Sequence, residues 1–349
     1  MNKYEHGGDI YEIPGVARDF SISCNPLGMP DAVTRALKSN TRLFSMYPDP
    51  RCRKLRAAIS DYLSVPEEMI LCGNGSADLI NRICACFRPS RALVTAPSFS
   101  DYERCVEVFG GKVTEYPLYP EEGFNVSSSI LDYIDDSLDM VFLCTPNNPT
   151  GQLIDSQLLY SIAKRCEETD TIFVLDECFL PFTGEKSMVH YSSAFPHMLV
   201  LRAFTKIYSM AGIRLGHLIG SESLIKKIAP FGAEWSVSAP AQVCGTEALN
   251  LEPEWSRRTR EYVSHEKKFM TEKLTEAGIR VFPPAANFIL AESPVSLANP
   301  LLEYGLMVRD CSNFSGLDEH YIRIGLLDHE SNRELAEAIK EILDGGYNK

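Results

Sequence analysis

A chain of 349 residues, 45% hydrophobic and 23% charged, has an ordinary globular composition and is long enough for two domains around a substantial core. Its formal net charge of −13 argues against a nucleic-acid or anionic-membrane surface and leaves room for a local cationic pocket. Eleven cysteines stand singly apart from Cys84 and Cys86, with no CxxC pair, no metal-ligand spacing and no recognisable leader, so a reducing cytoplasm and no metal are expected. No apolar run approaches the ~18–20 residues of a membrane span.

Residues 1–29 read as an arm rather than a packed element. His6-Gly7-Gly8 is a flexible turn with one imidazole, and Asn25-Pro26-Leu27-Gly28 is a second turn. Two helical patterns follow up to residue 63, interrupted by Tyr47-Pro48-Asp49-Pro50, a stiff turn presenting one aromatic. Met69–Cys72 is a short apolar strand, then Gly73-Asn74-Gly75-Ser76-Ala77 opens a helix. Strand, glycine turn and helix start is an arrangement whose free backbone N–H groups bind phosphate, although most such turns are only turns.

From there strands and helices alternate. Strands are expected at Ala92–Ala96, Lys112–Leu118, Met140–Thr145 and Thr171–Leu175, with helices at Phe99–Phe109, bearing Tyr102, and at Asp155–Glu168. The repeated alternation predicts an α/β domain with a mainly parallel sheet sandwiched by helices, and its ligand at the carboxyl ends of the strands. Asn148, Asp176 and Lys206 all fall just past strand ends, so one crevice can collect them.

Lys206 follows a fully apolar run, Met198–Leu201, that stops at Arg202, and a second run, Ile213–Ile219, comes after it. The same pattern fits a lysine on a surface loop. A lysine between two core strands is otherwise costly, and one kept neutral by desolvation attacks carbonyls and forms a Schiff base. If that carbonyl belongs to pyridoxal, the other needs are specific. Asp176 can keep the ring nitrogen protonated, with Glu177 pointing away on an extended chain. Gly75, Ser76, Ala77 and Arg214 can hold the phosphate, Tyr102 can cover the ring, and Asn148 can bond the ring oxygen. Each of these residues also has a structural explanation, as a cap, a turn or a core aromatic. After Gly220 the pattern turns helical, then changes to short strands and a final helix, His329–Leu343. We therefore expect a large domain at 30–250 and a smaller α+β domain at 251–349.

Asn147-Asn148-Pro149-Thr150-Gly151, Asp176-Glu177-Cys178-Phe179, Thr205-Lys206 and Arg214-Leu215-Gly216 together resemble the signature of pyridoxal-phosphate enzymes of the aspartate-aminotransferase fold. The resemblance implies pyridoxal 5'-phosphate on Lys206, with Thr205 among its neighbours, and a cytoplasmic homodimer in which Tyr47 reaches the partner's cofactor phosphate. It also implies that Arg323, in Tyr-Ile-Arg-Ile-Gly, binds a substrate anion. Two subfamilies share these motifs, histidinol-phosphate aminotransferase and the threonine-phosphate decarboxylase of cobalamin synthesis. The arm His6-Gly7-Gly8, the stretch Phe20–Pro30, Trp235-Ser236-Val237 and Phe179, where aminotransferases carry a tyrosine, are similar to the decarboxylase. That likeness implies a substrate site of His6, Gly7, Asn25, Asn148, Arg309 and Arg323. Ala203, where a hydroxyl residue is usual, and Leu327, where a second arginine is usual, depart from it and bring phosphoserine into view beside phosphothreonine.

Overall fold

A computed structural model describes residues 3–11, 13 and 15–345. In chain order the strands are β1 (Arg18–Asp19), β2 (Ile70–Gly73), β3 (Arg91–Ala96), β4 (Lys112–Pro117), β5 (Met140–Cys144), β6 (Ile172–Asp176), β7 (Met198–Ala203) and β8 (Gly216–Gly220). They are followed by β9 (Arg280–Val281), β10 (Phe288–Glu292), β11 (Leu306–Met307), β12 (Arg309–Asp310) and β13 (Tyr321–Gly325). Strands β2 to β8 form one seven-stranded sheet in the order β2-β8-β7-β6-β5-β3-β4. Pairing is parallel from β7 to β4, and β8 runs antiparallel to both of its neighbours. A second, four-stranded antiparallel sheet, β12-β13-β10-β9, is built from the last seventy residues.

The large sheet is covered on both faces, as its unbroken apolar strands require. Phe142, Val174, Leu199 and Leu201 join one cluster with Tyr102, while Leu143, Phe173, Leu175 and Val200 join the main core on the other face. Asp176 continues the alternation of Ile172 and Val174 and emerges on the Tyr102 face. Glu177 turns the other way and accepts hydrogen bonds from the Ser187 hydroxyl and the Met188 N–H.

The structure alters four sequence expectations near the site. Strand β7 runs through Arg202 to Ala203, because the ladder with β8 continues to Ala203↔Gly216. Lys206 then lies on a one-turn helix, Phe204–Ile207, rather than in a loop. The run from Ile213 to Ile219 is broken at Arg214, whose φ of +60° ends a 3-10 turn before the strand begins. Finally, the end of the arm is packed. Arg18–Asp19 pairs parallel with Leu306–Met307, Phe20 is fully buried, and a Cβ on Gly325 would meet the Ile22 carbonyl oxygen at 1.9 Å. Just beyond, Leu306–Met307 pairs with the arm while Arg309–Asp310 pairs with β13.

Candidate active site

Lys206 sits at the floor of a cavity of about 360 Å³ beyond the carboxyl ends of β5, β6 and β7. Desolvation pushes its amine below the usual lysine range; the Cys24 thiol opposes this, and the charges of Arg323 and Arg214 add to it. No hydrogen bond or ion pair of its Nζ is found among the described residues, and the Phe179 ring centroid lies 5.6 Å away. A desolvated, unpartnered amine is the form that attacks a carbonyl. Four of the lining side chains are Lys or Arg (Lys206, Arg214, Arg309, Arg323), against Asp101 and Asp176, so this acidic chain carries a cationic pocket.

Asp176 is buried, and both of its oxygens are engaged. The Tyr102 hydroxyl donates to Oδ2 at 2.7 Å and the Cys178 N–H to Oδ1 at 2.8 Å. Burial pushes the carboxyl pKa up, and these bonds pull it back. Tyr102 therefore does something the sequence reading did not foresee. One face of its ring is stacked on Phe142 at 5.2 Å and 8°, and its hydroxyl orients the carboxylate. The aromatic that reading missed is Phe99, which lines the cavity, meets Tyr102 edge-on and lies 5.3 Å from the His6 ring. Its signal was there to find, as an aromatic two residues after a strand-ending proline.

At the other end Gly75 adopts φ +85° and leads into the helix Ser76–Phe87. A Cβ on Gly75 would lie 2.6 Å from Arg214 Nη2, and one on Gly216 would lie 2.9 Å from Ser76 N. Both positions must be glycine so that the guanidinium and the helix N-terminus converge beside Ser76 and Ala77. Thr205 lines the same cavity, and the buried Ala203 does not. A lysine amine, an oriented carboxylate, an aromatic wall and an anion cradle in this order fit pyridoxal 5'-phosphate.

The arm closes the remaining side. Arg323 donates through Nη1 to Asn148 Oδ1 and through Nη2 to the Ser21 carbonyl at 2.6 Å. Its buried Nε has no partner among the described residues, and burial, with the Arg309 charge, pushes its pKa down to about 10. Since Asn148 uses its oxygen on Arg323, its amide N–H groups remain the donors for a ring oxygen. Arg309 spends its donors on the carbonyls of Asp310 and Glu5 and on Asn313 Oδ1, and stacks over Phe314. His6 Nε2 lies 3.4 Å from Asp101, and Gly7 is so close to Ser21 that a Cβ would meet its carbonyl at 2.5 Å.

Two expected site residues, Asn25 and Tyr47, do not line this cavity, and neither does Leu327, the departure noted above. Asn25 does not line it. Its amide donates to the Ile207 carbonyl and Thr259 Oγ1, and its N–H donates to the Lys206 carbonyl, so it holds the lysine's helix rather than a ligand. Ser23, two residues earlier, lines the cavity with a buried Oγ that has no partner among the described residues. Tyr47 is 80% exposed and stacks on Trp235 at 4.7 Å, away from its own chain's crevice. Leu327 is half-buried beyond the cavity wall, and no arginine replaces it there. A larger groove of about 1090 Å³, between residues 153–161 and 184–191, holds neither Lys206 nor any arginine.

Residues 19–339 match the family of class I and II aminotransferases. A threonine-phosphate decarboxylase from Salmonella typhimurium is 33% identical, with 97% of each chain covered. Among solved structures, a histidinol-phosphate aminotransferase from Clostridium acetobutylicum superposes with a TM-score of 0.88 at 28% identity, covering 94% of this chain and 99% of that one. An L-threonine-O-3-phosphate decarboxylase from Porphyromonas gingivalis gives 0.82 at 27% identity, covering 93% and 99%. The chain belongs to the class I and II aminotransferase family and is a pyridoxal-phosphate enzyme.

Proposed function

We propose that this enzyme decarboxylates an amino-acid O-phosphate, L-threonine O-3-phosphate first and L-serine O-phosphate second, to the corresponding amino-alcohol phosphate. In this reading the product is the linker of the cobalamin nucleotide loop. The observation that carries it is the 33% identity over 97% of the chain to a threonine-phosphate decarboxylase, joined to a cavity with four basic side chains. A zwitterion with an added phosphate is a doubly anionic guest, and a pocket of this charge suits it.

Bound pyridoxal phosphate supplies an electron sink for the pair left when the Cα–carboxylate bond breaks. The chain's own residues decide which bond breaks. Arg323, with Nε unspent, and Asn148 grip the substrate carboxylate and turn its bond perpendicular to the ring plane; Arg309 and His6 draw the phosphate under the arm. Asp176, fixed by Tyr102, keeps a positive charge on the ring nitrogen. Lys206 can take up a proton from the substrate's ammonium group, and it or water then delivers one to Cα after carbon dioxide leaves. Phe179 stands at the crevice wall without a hydroxyl, which leaves the ring oxygen to Asn148.

Aminotransfer on histidinol phosphate is the second reading, favoured by the 0.88 TM-score to such an enzyme. It needs only a substrate held so that its Cα–H bond is the one perpendicular to the ring; histidinol phosphate has no carboxylate to lose. Incubation with phosphothreonine, phosphoserine or histidinol phosphate, each with and without 2-oxoglutarate, separates the two. Carbon dioxide released without 2-oxoglutarate supports decarboxylation; a ketone product and glutamate that form only with 2-oxoglutarate sink it. The reading includes a cytoplasmic homodimer with Tyr47 at the partner's phosphate, an arm at 1–29 and domains at 30–250 and 251–349. No helix among the described residues is long and apolar enough to cross a membrane.

A further inference from the structure

Among the described residues, Asp101 and Asp176 are the two carboxylates that line a cavity of four basic side chains, and Asp101 is only 5% exposed. Asp176 serves the ring nitrogen, whereas Asp101 has no part in the chemistry. A buried carboxylate beside a guest with two anionic groups weakens binding unless its charge is spent elsewhere. It is spent on two side chains. Arg104 Nε, one turn along the helix Asp101–Val108, donates to Oδ1 at 2.7 Å, and His6 Nε2 lies 3.4 Å from the same oxygen. Burial pushes the Asp101 carboxyl up, and these two contacts overcome that and hold it below the usual carboxylate range.

His6 reaches this carboxylate from the arm, whose backbone is held from two sides. Lys3 donates to Glu103 at 2.6 Å and the Tyr4 hydroxyl to Glu107, both on the helix that begins at Asp101. Arg309 and Asn313 donate to the Glu5 carbonyl at 2.7 and 3.1 Å. Those contacts fix where the His6 backbone runs and leave its ring free to turn. The ring is set by Asp101 at its Nε2 edge and by Phe99, whose centroid is 5.3 Å away with the planes tilted by 33°. With Nε2 spent on Asp101, Nδ1 is the nitrogen left for a ligand.

We propose that Asp101 is a positioning residue for the substrate phosphate: it holds the His6 ring by Nε2 so that Nδ1–H is left to donate to a phosphate under the arm. The inference rests on the reading that the guest carries a phosphate there. An imidazole lying between two anions keeps both of its protons and donates one to each. The half-buried Arg104 offsets the Asp101 charge, so the carboxylate orients His6 without repelling the guest. Asp101 thus acts through His6 and makes no contact with the phosphate itself.

The test is a double-mutant cycle on the holoenzyme, read as the calorimetric Kd of O-phosphoethanolamine, which carries the amine and the phosphate but no carboxylate to lose. Asp101→Asn keeps the shape of the side chain and removes its charge, and should weaken Kd about tenfold; His6→Ala should do the same. The double variant should be no weaker than His6→Ala alone, and Asp101→Glu should recover most of the loss. Glu103→Gln, which frees Lys3 on the same helix, should shift Kd less than about twofold. An unchanged Kd in Asp101→Asn, additive losses in the double variant, or an equal loss in Glu103→Gln overturns the proposal. Should Asp101→Asn fold poorly, His6→Ala decides, since an unchanged Kd there overturns it as well. A wild-type enzyme that does not take the probe at all overturns the phosphate reading itself, which is a separate result.

Discussion

The two halves of the crevice are built differently. Around the cofactor site each group stands on, or immediately beyond, an element of the large sheet. Gly75 and Ser76 open a helix, Asp176 ends β6, and Lys206 follows β7. On the substrate side the cations are tied up by the chain itself. Arg323 holds the Ser21 carbonyl and Arg309 holds that of Glu5, so both are fastened to the arm. The first half is preorganised and should tolerate little change; the second must exchange arm contacts for ligand contacts, so its residues should tune affinity more than rate.

Substitutions should rank along that contrast. Lys206→Ala is expected to lower kcat by at least about a thousandfold and to abolish covalent retention of the cofactor through denaturing gel filtration. Asp176→Asn should cost about 10²–10³ in kcat with the cofactor still bound, read by single-turnover kinetics. Arg323→Met removes a buried charge that two acceptors rely on and should raise KM by about 30-fold or more; a fall in kcat with KM unchanged would break the division between the halves. Tyr102→Phe removes one hydrogen bond to Asp176 and should cost about tenfold in kcat with little change in KM. Ser23→Ala, the smallest, should raise KM two- to fivefold, about 0.5–1 kcal/mol, and leave kcat alone.

The Lys206 amine also makes a pH prediction. Its pKa in the folded apoenzyme lies below the model-peptide value of about 10.4. Between those two values the unfolded chain binds more protons, so the contribution of this group to apoenzyme stability rises with pH across that window. Lys206→Met should flatten that rise in urea melts. The rate at which the apoenzyme captures pyridoxal phosphate should climb with pH and level off below 10.4 for the same reason.

How much of this was legible in the sequence follows the same division. The cofactor half was readable because Gly75, Asn148, Asp176 and Lys206 each sit one to five residues past an apolar run, and apolar runs reveal strands. The substrate half was not, because it depends on residues distant in sequence. Nothing near Asn25 says that Thr259 and Ile207 will occupy its amide, or that Ser23 will face the cavity instead. Tyr102 was seen as an aromatic, but its hydroxyl reaches Asp176 only because the helix Asp101–Val108 packs over the sheet beside Phe142. The arm looked unpacked since a two-residue strand leaves no periodic trace, and its pairing with Leu306–Met307 lies almost three hundred residues away.

The most direct measurement is borohydride reduction of the holoenzyme followed by peptide mapping. The account predicts a pyridoxyl group on Lys206 and on no other lysine, with the label lost in Lys206→Ala. A label on a different lysine, or an unmodified Lys206 in a fully loaded enzyme, would contradict it.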